Sequence, residues 1–136
     1  MVVKRTSHAV YDVQYHLVWA TKYRKKVFSD ALARYVKEVF YQIAAHYEWE
    51  ILEAGVDHDH VHILVSAPPR WAPYDITKKI KSWSAREMFK RFPSLRKSYW
   101  GGEFWKDGYF IKTVGDKATT EKIKKYIIMQ DQVVEL

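Results

Sequence analysis

From residue 9 onward the apolar period of this chain switches between two and about 3.6 residues, and the order of the switches leaves few folds open. AVYDVQYHLVWA, residues 9–20, sets Tyr11, Val13, Tyr15, Leu17 and Trp19 against Asp12, Gln14 and His16, the pattern of a half-buried strand. KYRKK, 22–26, is a basic loop. Ser29 or Asp30 can cap a helix in which Leu32, Val36, Val39, Phe40, Ile43 and Tyr47 fall at helical spacing. WEILEAGV (49–56) and HVHILVSA (60–67) read as two strands joined by a tight turn near Asp57 and His58. Beyond the proline-broken loop APPRWAP, 67–73, the spacing predicts a second helix from about Asp75 to Phe92. Ile76, Ile80 and Trp83 share one of its sides, Lys78, Lys79, Lys81 and Arg86 lie mostly elsewhere, the period weakens after Trp83, and Pro93 ends it. Gly101-Gly102 marks a turn, and FWKDGYFIKTV (104–114) is β-rich around Asp107-Gly108. ATTEKIKKYIIMQDQVV, 118–134, reads as a terminal helix behind Thr caps.

Strand, helix, strand, strand, helix, strand, helix is an α+β order. Its first six elements make the split βαβ arrangement of ferredoxin-like and RRM-like domains: an antiparallel sheet with helices on one face and the other face open to a ligand. The 136 residues suit a single domain, 1–136, and 48% hydrophobic content suffices for a core. With no cysteine, disulfides, thiolate metal sites and a cysteine nucleophile are all excluded. There is no GxxxxGK[ST] loop, so no nucleotide cofactor is expected. The N-terminus has no signal-peptide run and no stretch can span a bilayer, so the expectation is a cytoplasmic protein without a membrane partner. Lys and Arg outnumber Asp and Glu by 23 to 16, which suits a polyanion, most often nucleic acid.

HDHVHILV, 58–65, concentrates three of the six histidines at alternate positions. On a strand that begins at 58, His58, His60 and His62 point one way, while Val61, Ile63 and Val65 point toward the helices. Neighbouring same-face positions are about 7 Å apart along the backbone, close enough for two imidazoles to converge on one divalent ion. Two ligands are too few for a structural zinc site, so a metal held here needs a third protein ligand and keeps open positions. The terminal helix offers Tyr126 and Gln130, four apart and on one face: an amide oxygen as ligand and a phenol able to form covalent intermediates. Ile123, Tyr126, Ile127 and Gln130 equally make a plausible core stripe, and histidines on a strand can simply tile its surface.

His60-Val61-His62 within DHDHVHILVSAPP resembles the HUH motif (His, hydrophobic, His) of the single-tyrosine HUH transposases of small bacterial and archaeal insertion sequences, the superfamily that includes REP-associated tyrosine transposases. VQYHLVWATKYRKKVF (13–28) resembles that family's first strand and basic loop, YWGGEFWKDGYFIKTVG (99–115) the segment before its last helix, and KIKKYIIMQ (122–130) the helix with the catalytic tyrosine. The resemblance implies a DNA transposase that cleaves and rejoins single-stranded DNA through a 5′-phosphotyrosine intermediate. It implies Tyr126 as nucleophile, His60, His62 and Gln130 as ligands of a divalent ion (Mg²⁺ or Mn²⁺), and His58 without a role. It also implies a homodimer, with possible exchange of the tyrosine helix through a hinge in TVGDKATT (113–120) at Gly115, and imperfect hairpins near the element ends as DNA partners.

Lys22, Arg24, Lys25, Lys26, Lys124 and Lys125 are candidate phosphate contacts. Trp71, Trp100, Phe104 and Trp105 are candidate stacking surfaces, with core packing the favoured reading for most of them. Two other readings stay open: a non-catalytic module that binds single-stranded DNA or RNA, and a domesticated relative that has lost activity. A two-histidine phosphoesterase wants paired His-x-Ser/Thr units, which His8-Ala9-Val10, His16-Leu17-Val18 and His46-Tyr47-Glu48 do not supply.

Overall fold

A computed structural model describes residues 3–98 and 102–131. Ser29 caps the first helix, α1 (Asp30–Tyr47), by accepting from the Leu32 N–H, and the apolar stripe of α1 is buried from Ala33 to Ala44. The alternating run near the N-terminus divides at Asp12 and Val13. Val10–Tyr11 (β2) folds back on Lys4–Arg5 (β1) as a small hairpin, and only Gln14–Ala20 (β3) enters the main sheet. β4 (Glu50–Val56) and β5 (His60–Ser66) follow as a hairpin, then α2 (Pro73–Arg91), the single turn α3 (Leu95–Ser98), β6 (Phe110–Val114) and α4 (Lys117–Gln130). The four-stranded sheet has the order β4-β5-β3-β6 with every neighbouring pair antiparallel. This is the expected split βαβ topology.

Val61, Ile63 and Val65 of β5 pack with Leu17 and Trp19 of β3 into the large core shared with α1 and α2. Two local expectations are corrected. The second helix begins at Pro73 rather than Asp75, because a proline in the first turn has no N–H to lose. Its period weakens after Trp83 because the buried residue there is Ser84, whose hydroxyl donates to the Ile80 carbonyl and accepts the Trp105 indole N–H at 2.9 Å. The β-rich segment forms a strand only from Phe110. Phe104 and Trp105 instead plug the core, Trp105 with a single bridge to Thr21, and Gly108 turns the chain at φ +88°.

α1 and α2 cover one face of the sheet, as expected of the first six elements. α4 lies across the opposite face, where Ile127 packs with Leu64 and Val114 in a second, smaller core. Its approach is set by Gly55 on β4: a Cβ there would stand 2.7 Å from both the Ile127 carbonyl oxygen and its Cγ2. Asp116 caps α4 by accepting from the Thr119 N–H, and Asp131 at its other end accepts from the Val56 N–H and pairs with Lys37 at 2.6 Å. No helix among the described residues is long and apolar enough to cross a membrane.

Candidate active site

Because β5 starts at His60, His58 falls in the turn, exposed, with its N–H donating to the Asp57 carboxylate. His60 and His62 share the face opposite the main core, with ring centroids 5.0 Å apart. Gly55 lies directly across from His62 in the β4–β5 ladder. The residue that admits α4 is therefore the neighbour of the second histidine, and Tyr126, one residue before Ile127, comes down beside it. The Tyr126 and His62 rings are 5.3 Å apart, edge to face. Tyr126 remains 48% exposed, so its phenol is reachable from outside, while His62 beneath it is buried. His62 was expected to face out of the core. It does leave the α1/α2 side, but α4 covers it.

An open cavity of about 390 Å³ is lined by His60, His62 and Tyr126 together with Arg24, Lys106 and Tyr109. Gln130 is half-buried in the last turn of α4, one turn beyond Tyr126, and is not among the residues lining this cavity.

His60 presents Nδ1 to the Asp59 carboxylate at 2.8 Å, and the other Asp59 oxygen accepts from Arg24 Nε at 3.2 Å. Burial pushes the Asp59 carboxyl upward, but the His60 hydrogen bond and the Arg24 charge outweigh it, leaving the group below its ordinary range. Arg24 comes from a turn, Lys22–Arg24, in which Tyr23 and Arg24 both have left-handed backbone, at φ 57° and 49°. Side chains disfavour that region, at a cost of order 1 kcal/mol each, and here the turn is held by backbone bonds to Thr21, Phe104 and Asp59. His62 turns Nδ1 toward Nε2 of His16 on β3, 3.1 Å away, with the two rings stacked. His62 Nε2 is buried and has no hydrogen-bond partner. Burial, then the His60 and His16 charges, lower the His62 pKa to about 4; burial and Lys112 lower that of His16. His62 is thus a neutral ring at neutral pH.

His16, Asp59, Gly55 and Lys106 were not singled out from the sequence. For His16 a signal existed: it shares the polar face of its strand with Gln14, and pairing that strand with the histidine strand brings it near His62.

Among the candidate phosphate contacts, Lys22 pairs with Glu103 at 2.5 Å, Arg24 with Asp59, and Lys25 bonds the Ser98 carbonyl. Lys26 and Lys125 are exposed, and Lys124 lines a separate cavity beside the start of α4. Of the aromatic candidates, Phe104 and Trp105 are core residues, and Trp71 packs against Tyr47 and Trp49. Trp100 and Gly101 lie outside the described residues, as do 132–134 of the expected helix.

A half-exposed phenol thus stands beside a pair of histidines on the sheet face that α4 crosses. Residues 9–130 match the family model described as Transposase IS200 like. The chain is 40% identical over 128 residues to the ISDra2 transposase TnpA of Deinococcus radiodurans, covering 94% of this chain and 91% of that one. It is 32% identical over 124 residues to the transposase for insertion sequence element IS200 of Salmonella typhimurium, covering 91% and 80%. A crystal structure of a candidate transposase from D. radiodurans R1 superposes with a TM-score of 0.76 at 38% identity, covering 94% of this chain and 98% of that one. A REP-associated tyrosine transposase bound to a REP hairpin shares the fold, with a TM-score of 0.65 at 9% identity over 93% and 70% of the two chains. The chain belongs to the IS200-like transposase family, a family of enzymes.

Proposed function

We propose that this transposase cleaves and rejoins single-stranded DNA at insertion-sequence ends, with Tyr126 as the nucleophile. The observation that carries the reading is the half-exposed Tyr126 ring 5.3 Å from the buried His62 ring at a cavity that Arg24 and Lys106 also line. The Tyr126 oxygen attacks phosphorus, and the bond from phosphorus to the 3′-oxygen breaks. The phenol loses its proton, the departing oxygen gains one as a 3′-hydroxyl, and the 5′ end stays linked as a phosphotyrosine ester. Attack by a free 3′-hydroxyl reverses the sequence and rejoins strands. One phosphodiester replaces another at each step, so no nucleotide need be consumed.

The residues fit a divalent ion. The orphaned His62 Nε2 and a His60 whose Nδ1 is already engaged leave two imidazole nitrogens for one cation, and Gln130 is the proposed third ligand. Two nitrogens suit Mn²⁺, while abundance favours Mg²⁺. A bound ion would polarise the scissile phosphate and offset its developing charge. The protein's own part is to hold His62 neutral, anchor both imidazoles through Nδ1, keep Tyr126 over them, and line the approach with Arg24 and Lys106. Arg24, Lys22, Lys25, Lys26, Lys124 and Lys125 are proposed to contribute to backbone contact, Arg24 nearest the chemistry. Hairpins near the element ends are the proposed partners, in keeping with the hairpin bound by the REP-associated protein of the same fold. The working form is proposed to be a homodimer in which α4 can seat on the partner chain.

The test is a denaturing gel of protein with single-stranded element ends and Mn²⁺. Wild type should give a DNA–protein adduct that survives denaturation. Tyr126→Phe should abolish it and leave hairpin affinity within about twofold, since the hydroxyl is small beside the phosphate contacts that dominate binding. Adduct at wild-type yield from Tyr126→Phe would remove the residue from its role. Binding without adduct from either protein would leave a binding module.

A further inference from the structure

His16 belongs to neither the histidine pair nor the tyrosine helix, yet it is buried against His62 with its Nε2 3.1 Å from His62 Nδ1. A neutral imidazole carries one N–H and one bare nitrogen, so this bond has only two arrangements. If His16 donates, His62 bears its proton on Nε2. That N–H would be buried without any acceptor, because Nε2 has no partner. If His62 donates from Nδ1, the orphan at Nε2 is a lone pair. Buried N–H groups without a partner are rarer than underused lone pairs, so the second arrangement is favoured. His60 is anchored through the same atom: its Nδ1 faces the Asp59 carboxylate at 2.8 Å, while its Nε2 stands 3.9 Å from the Asp57 carboxylate. Both rings are thus held through Nδ1.

We propose that His16 is a positioning residue that accepts the Nδ1–H of His62, fixing the tautomer and orientation of that ring so that Nε2 stays bare beside the cavity. Its use in holding a cation rests on the metal reading above; the tautomer itself does not. Free imidazole favours the proton on Nε2, so a His62 left alone would present an N–H where a ligand needs a lone pair. His16 can do this because β3 is hydrogen-bonded along β5, with Val18 opposite His62, which sets His16 diagonal to it on the same face.

Long-range ¹H–¹⁵N spectra of metal-free protein with labelled histidines decide the matter. Wild type should show His62 as the Nδ1–H tautomer. His16→Leu should move the proton to Nε2, and His16→Gln, which returns an acceptor oxygen at similar reach, should restore Nδ1–H. An Nε2–H tautomer in the wild type, or an Nδ1–H tautomer that persists in His16→Leu, overturns the proposal. Calorimetry with Mn²⁺ alone separates the two layers: His16→Leu should weaken binding about tenfold or more and His16→Gln should recover most of the loss. Wild type that shows Nδ1–H yet binds no Mn²⁺ would sink the metal reading and leave the tautomer assignment standing. Equal Mn²⁺ affinity in wild type and a folded His16→Leu would sink the positioning role. If His16→Leu does not fold, the wild-type tautomer and the His16→Gln variant still decide.

Discussion

His62 is held neutral at a cost that pH can expose. In the unfolded chain its imidazole titrates near 6.5, whereas burial first, then the charges of His60 and His16, bring it to about 4 in the folded protein. Above 6.5 both states are neutral and the group contributes no pH dependence. As the pH falls from 6.5 toward 4, the unfolded chain takes up a proton that the folded one refuses, and folding weakens. Below 4 both states are protonated and the loss levels off. The full shift corresponds to about 3 kcal/mol at most, and the depression of His16 acts in the same direction. Metal-free protein should therefore lose denaturant resistance between pH 7 and pH 4.5 through these histidines. His62→Asn should have a visibly flatter profile over that window; parallel profiles for wild type and variant would show that the ring does not resist protonation. His60 is secured differently, by a carboxylate that Arg24 grips from the far side.

At the scale of elements, the position of Tyr126 is decided by a glycine on another strand. Gly55 lets the backbone of α4 descend onto β4, and a methyl group there would meet the Ile127 carbonyl oxygen, an atom that cannot step aside without the helix. Gly55→Ala should cost about 1–3 kcal/mol of stability through overpacking. Because a misplacement near 1 Å can cost about a hundredfold in rate, it should also slow adduct formation by roughly ten- to a hundredfold per folded molecule. DNA affinity should change far less. A lowered melting temperature with a wild-type adduct rate would mean that Tyr126 finds its place by some other constraint. The contrast with α1 explains what a sequence discloses. The Ser29 cap and the stripe from Val36 to Ile43 are local facts, legible from spacing alone, and so is the face division along β5. The face taken by α4, the close approach at Gly55 and the pairing of His16 with His62 are facts between elements, set by register and docking. Ser84 and Trp105 misled for a related reason: a buried hydroxyl satisfied by a distant indole looks polar in the helix period, and an aromatic plug looks like a strand. The meeting of Tyr126 with His60 and His62 was legible because family likeness supplied the tertiary step that periodicity lacks.

Across the whole molecule, α4 is tied to the sheet at three levels: Thr120 donates to Gln14 at 2.8 Å near its start, Ile127 rests on Gly55 in its middle, and Asp131 grips Lys37 and the Val56 N–H at its end. Each of these contacts joins α4 or its C-cap to the sheet or to α1, and none requires that the two belong to one chain. The lead-in at Gly115 is exposed, with open space around the position a Cβ would take. Exchange of α4 between two copies would rebuild every contact with partner in place of self, the low-cost route by which identical elements swap. The proposed homodimer can be tested without a structure of it. His62→Ala and Tyr126→Phe chains should each fail to form adduct alone. When mixed and allowed to exchange subunits, a swapped dimer contains one site with intact histidines from one chain and an intact tyrosine from the other, so adduct should return, attached only to the chain that retains Tyr126. In the same-chain arrangement every site keeps one defect, and a mixture as inactive as its components would confine the tyrosine to the histidines of its own chain.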